Sequence, residues 1–134
     1  MSDSQGNAPK ARGGLVFTVL GQRAFLSTEV ALRLAPRPQV ATIPGSPAVL
    51  LGLTLSDGVI LPVLEVGPDR GAMIVCVHRG EPLGLLGATE IRSGMFVAHG
   101  DAGVLEGDTK VPPFDVEAIC GLVQAVTWGA TWVA

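Results

Sequence analysis

The sequence predicts an all-β domain of barrel type, and three observations carry that expectation. Valine and leucine dominate the apolar residues, and no long window places them at helical spacing. Glycine (18) and proline (10) are frequent in a chain of 134 residues, as short strands with many turns require. Apolar runs also flank short breaks that contain glycine, the arrangement of tight hairpins.

Taken in order, residues 1–13 are polar and read as a loose tail, with a single domain over 14–134. Residues 15–20 and 23–27 flank Gly21-Gln22, a loop with glycine first that suits a type II′ turn. Residues 28–34 are compatible with helix or strand, and Pro36 and Pro38 end them in an extended segment. Residues 49–54 and 59–66 are the next strands, around the polar corner Ser56-Asp57-Gly58. In the second, Val59, Leu61 and Val63 alternate with Ile60 and Leu64, which predicts burial of both faces. Pro62 cannot donate to a ladder and is expected at an edge or bulge. Residues 72–78 and 81–86 form a hairpin around Arg79-Gly80, and 90–98 a strand kinked at Ser93-Gly94. Residues 99–113 read as the longest loop, and 118–126 and 131–133 as closing strands around Trp128-Gly129. The sum is nine or ten short strands.

Composition narrows the function. Apolar residues make up 48% and charged residues 16%, which excludes long disorder and leaves enough apolar mass for a core without metals or disulfides. The net charge is -3, and there is no basic patch interleaved with aromatics, so nucleic acid is not an expected partner. The apolar runs are too short to cross a bilayer, and no basic-then-apolar leader opens the sequence. A cytoplasmic protein without direct membrane insertion is the expectation. In the last quarter five acids face only Lys110, and these read as a solvated loop face.

Candidate chemistry is sparse. Cys76 and His78 share one strand face, but a metal site needs three or four ligands and no second Cys/His pair stands nearby. Cys76 lies within Met73-Ile74-Val75-Cys76-Val77, where apolar neighbours raise a thiol pKa and blunt nucleophilicity. Cys120 is likewise expected to pack. No phosphate-binding glycine motif stands at a strand-to-helix turn, and Gly84 and Gly87 read as close-packing positions within a strand. No cofactor is implied. Asp57 reads either as a turn residue or as a residue that selects a partner.

Several segments, in order, resemble the CheW-like domain, the adaptor module of bacterial chemosensory arrays. Leu15-Val16-Phe17-x-Val19-x-Gly21-x-x-x-Phe25 is similar to that family's first hairpin. Ile43-Pro44-x-x-Pro47, then Gly52-Leu53-Thr54-x-x-Asp57-Gly58-x-Ile60-x-Pro62-Val63-Leu64-Glu65, resembles its signature G-V-x-N-L-R-G-x-x-x-P-V-x-D-L. Ile74-Val75-x-Val77 with Leu83-Gly84-Leu85-Leu86, and Ile119-Cys120-Gly121-Leu122, resemble the later regions.

The resemblance implies two packed SH3-like five-stranded barrels sharing a core, with a groove between them. It implies a non-catalytic adaptor docking onto the regulatory domain of a CheA-type histidine kinase and/or a chemoreceptor's cytoplasmic tip. Carried over by position, docking falls on Leu32, Leu34, Pro47, Leu53, Thr54, Asp57, Gly58 and Pro62. The departures are specific. Where the family writes asparagine-leucine-arginine, this chain has Leu55-Ser56-Asp57, and where many relatives carry Val-x-Glu it has Leu32-Arg33-Leu34. The helix that often follows the final strand has no expected counterpart here. An exchanged charge at a contact can invert specificity, so partner choice is expected to differ. Two other functions suit the same strands: a barrel binding a small apolar ligand in its interior or groove, and an enzyme using Cys76 or Cys120.

Overall fold

A computed structural model describes residues 10–46 and 48–124. Among the described residues, ten strands precede one helix: β1 (Ala11–Val19), β2 (Gln22–Ser27), β3 (Ala31–Ala35), β4 (Leu50–Ser56), β5 (Val59–Glu65), β6 (Met73–His78), β7 (Glu81–Leu86), β8 (Thr89–His99), β9 (Gly103–Glu106), β10 (Thr109–Val111) and α1 (Val116–Gln124). They form two five-stranded sheets, ordered β10-β9-β8-β1-β2 and β3-β6-β7-β5-β4.

Each sheet curls until its two edges meet. In the first, the chain beyond β10 returns to β2: Phe25 N–H donates to the Pro112 carbonyl (2.9 Å), and Phe114 N–H donates to that of Phe25 (2.8 Å). In the second, the chain beyond β3 reaches the outer edge of β4, where Ala41 and Leu53 exchange both backbone bonds. Gly52 permits that approach, because a Cβ there would lie 2.2 Å from the Ala41 carbonyl oxygen.

Alternation along the strands builds three apolar clusters. Val16, Phe25, Val104 and Val111 fill the first barrel. Leu61, Val63, Met73, Val75 and Leu86 fill the second. Phe17, Leu26, Leu64, Ile74, Cys76 and Leu85 lie in a shared core that also takes Val116 and Cys120 of the helix. The central strands bury both faces, so their sequences run apolar without a polar side. Gly84 is one consequence: a Cβ there would sit 2.3 Å from the Met73 sulfur.

Several expectations change. β1 begins at Ala11, three residues inside the expected tail, because the long β8 offers partners as far as Val97. The first turn is Leu20-Gly21, not Gly21-Gln22, with both residues at positive φ (51° and 81°), the type I′ pattern. Residues 28–34 resolve into a turn and β3. Residues 99–113 are not a loop but hold the β9–β10 hairpin, anchored by buried Val104 and Val111. Pro62 is on neither an edge nor a bulge. It faces Leu53 in a pair whose backbone bonds point away from each other, and pairing with β7 starts only at Val63, so no donor is required of it.

Residues 118–124, expected as strand, belong to α1. Asp115 caps it by accepting a bond from the Ala118 N–H (2.9 Å), and Glu117 lies in its first turn. A helix after the final strand is therefore present. Trp128-Gly129 and residues 131–133 lie outside the described residues.

Candidate functional site

The β4–β5 hairpin carries most of the expected docking residues, and its pairing decides which of them reach solvent. Leu53 faces Pro62 and Leu55 faces Ile60 across the ladder. Side chains two apart share a face, so these four form one apolar block on the outer surface of the second barrel. Leu55 and Ile60 are 69% and 68% exposed, and Leu53 and Val59 are half-exposed. Val59 and Ile60 thus leave the burial expected of them, because nothing among the described residues stacks over this end of the edge pair. The strong alternation within Val59-Ile60-Leu61 signalled a strand but not which side would stay open.

Thr54 points the other way. It is buried, and its hydroxyl donates to the Gln39 carbonyl at 2.6 Å, tying β4 to the segment after β3. Its surroundings are internal and give a partner nothing to touch. Asp57 and Gly58 form the turn itself with φ of 50° and 79°, a geometry aspartate tolerates better than most residues. Asp57 also meets Arg33 of β3, with Nε to Oδ2 at 3.3 Å, and the same guanidinium donates to the Ser56 hydroxyl. Asp57, which stands where the signature has arginine, is therefore ion-paired with Arg33, the middle residue of Leu32-Arg33-Leu34. Leu34 is half-exposed on β3 beside it. Pro47 and the side chain of Leu32 lie outside the described residues.

Two grooves flank this region. One, about 480 Å³, runs between the barrels along β1, β3 and β8, with Gly13, Gly14 and Gly94 on its floor and Leu34 and Met95 on its walls. The other, about 520 Å³, adjoins the hairpin face and is lined mainly by Ile43, Leu50, Leu53, Pro62, Leu83 and Cys120. Met95, 69% exposed, had no signal in the sequence: only the pairing of β8 with β1 brings it to the groove.

Of the five acids of the last quarter, Asp101, Asp108, Asp115 and Glu117 are exposed as expected, and only Glu106 is partly buried. Glu106 accepts two bonds from Arg23, Nε at 2.9 Å and Nη2 at 2.6 Å, and a third from Arg92 at 2.9 Å. Those bonds to Arg23 hold its carboxyl below the ordinary value, against the opposing effect of burial. Glu117 pairs with Arg79 (2.9 Å) and lies 3.4 Å from His78.

The thiols are in poor settings for chemistry. Burial pushes Cys76 up to about 12 and raises Cys120 as well, so both stay protonated near neutrality. Among the described residues, no three His, Cys, Asp or Glu side chains gather as a metal site would need. No described helix is long and apolar enough to cross a membrane.

No family model matches the chain, and no curated protein matches it significantly. Among solved structures it is similar to the crystal structure of the scaffolding protein TtCheW from Thermoanaerobacter tengcongensis. The two are 14% identical with a TM-score of 0.63, over 78% of this chain and 84% of that one. The fold is thus CheW-like, two packed five-stranded β units with a common core, in a sequence that has diverged widely from that structure.

Proposed function

We propose that this chain is a non-catalytic signalling adaptor. Its apolar barrel surfaces dock onto a CheA-type kinase regulatory domain, a chemoreceptor tip, or both, with partner choice altered at Asp57. The observation that carries the reading is the open block of Leu53, Leu55, Ile60 and Pro62 on paired strands. A contiguous apolar patch on a rigid support is how interface anchors are presented. The CheW-like fold supports the reading, and the protonated, buried thiols argue against nucleophilic chemistry.

The test is binding of the full chain to the kinase regulatory domain and receptor tip from the same cell. Leu55→Thr with Ile60→Thr places strand-favouring β-branched residues at both positions but removes the apolar block. Affinity is expected to fall at least about tenfold, since buried anchors dominate such interfaces. Stability should move by less than about 0.5 kcal/mol, as for most surface changes. A wild-type chain that binds neither protein overturns the reading, as does a double variant that binds unchanged.

A further inference from the structure

The inter-barrel groove is lined by glycines and apolar side chains, the hydroxyls of Thr28 and Ser93, and one charged side chain. Its floor is bare backbone: Gly14 and Gly94 are directly paired across β1 and β8, and Gly13 faces Met95. A Cβ added at Gly94 would meet nothing within 4 Å, so the groove is open there, whereas a Cβ at Gly13 would lie 3.0 Å from the Met95 sulfur. Leu34 and the flexible thioether of Met95 flank it, and a Met-walled trough adapts readily to an inserted side chain. Among the described residues lining this groove, Arg33 is the only charged one.

We propose that the groove takes an apolar segment bearing a carboxylate, that Arg33 selects the carboxylate, and that Asp57 competes with it for the guanidinium. This rests on the adaptor reading and specifies the chemistry of its partner. Charge complementarity carries it. A cation entering the groove meets Arg33 with no acid among the lining residues, whereas a carboxylate meets a guanidinium with donors to offer. The existing partner is weakly placed to keep it: the Asp57 side chain is 79% exposed, so solvent screens the pair. A carboxylate arriving between apolar walls is shielded from water, where the same attraction is stronger. Arg33 therefore exchanges a solvated partner for a desolvated one, and Asp57 sets the affinity threshold for that exchange.

The experiment pans a phage-displayed library of random 12-residue peptides against the full chain and compares its products with the receptor tip and kinase domain. Enriched peptides should combine apolar residues with Asp or Glu. Arg33→Gln should weaken them about tenfold, and Arg33→Lys should retain most of the binding. Asp57→Asn keeps a residue suited to φ of 50° and frees the guanidinium, so it should tighten binding about two- to fivefold. Raising the salt should weaken the wild type more than Arg33→Gln, a readout that mere loss of structure does not produce. No enrichment, enrichment of Lys/Arg-rich peptides, or acidic peptides insensitive to Arg33→Gln each overturn the proposal. If the peptides behave as expected while neither chemosensory protein binds, the adaptor reading falls and the acidic-peptide site stands.

Discussion

Glu106→Gln tests how the first barrel is held shut. Arg23 of β2 and Glu106 of β9 sit on strands separated in the sheet by β8 and β1, and they meet only because the sheet curls. The carboxylate accepts three charge-assisted bonds, two from Arg23 in a forked pair and one from Arg92. Glutamine keeps the shape, removes the charge and turns an amide donor toward a guanidinium donor. Breaking a fully buried pair of this kind costs about 3–5 kcal/mol. Here the Arg23 and Glu106 side chains retain 24% and 18% exposure, so water recovers part of the loss and about 2 kcal/mol is expected at pH 7. Urea unfolding with an unchanged m-value is the assay. Arg92→Gln is the internal control: its side chain is 66% exposed, and it should cost less than about 0.5 kcal/mol.

The pH dependence supplies a second check. The Glu106 carboxyl is held below its ordinary value of 4.5, chiefly by the hydrogen bonds from Arg23. A depressed folded pKa contributes stability that is present above the unfolded value and disappears as pH falls through the folded one. Wild type and Glu106→Gln should therefore differ most above pH 4.5 and converge in acid. A gap under about 0.5 kcal/mol at pH 7, or one that persists undiminished in acid, refutes the clasp.

Two further outcomes follow from the same structure. Thr54→Val removes the donor to the Gln39 carbonyl and should cost about 1–2 kcal/mol in urea unfolding, with partner affinity unchanged. Affinity lost at full stability would instead return Thr54 to the docking surface. Cys76, fully buried with its pKa pushed up to about 12, should resist a disulfide reagent at pH 8 until the chain unfolds. Rapid labelling of the native protein at Cys76 would contradict its position in the shared core.

Legibility differed by element. The hairpins at Asp57-Gly58 and Arg79-Gly80 were readable because a type I′ two-residue loop needs positive φ at both positions, and a glycine announces it. The Leu20-Gly21 turn was displaced by one residue because leucine gives no such signal, and only the register of Val19 with Gln22 places it. The helix was missed although its marks were present: Asp115 as cap, Glu117 in the first turn, and Val116, Ile119, Cys120 and Val123 at helical spacing. Its short apolar run also reads as strand, and packing against the shared core decides between them. For the site, Leu53, Asp57, Gly58 and Pro62 fell on one hairpin as expected, whereas Thr54 turned inward by the strict alternation that turned its neighbours outward.

By itself the sequence determined the strand-rich class, most of the turns, and the hairpin that carries Asp57. Those properties are local, set by residue type and by spacings of a few positions. Tertiary structure alone decided that Arg33 meets Asp57, that Arg23 meets Glu106, and that Leu55 and Ile60 stay open while Leu61 and Val63 close. Each depends on how far a sheet curls and what covers its face. Contacts between residues 24 and 83 positions apart leave no periodic trace in the chain that makes them.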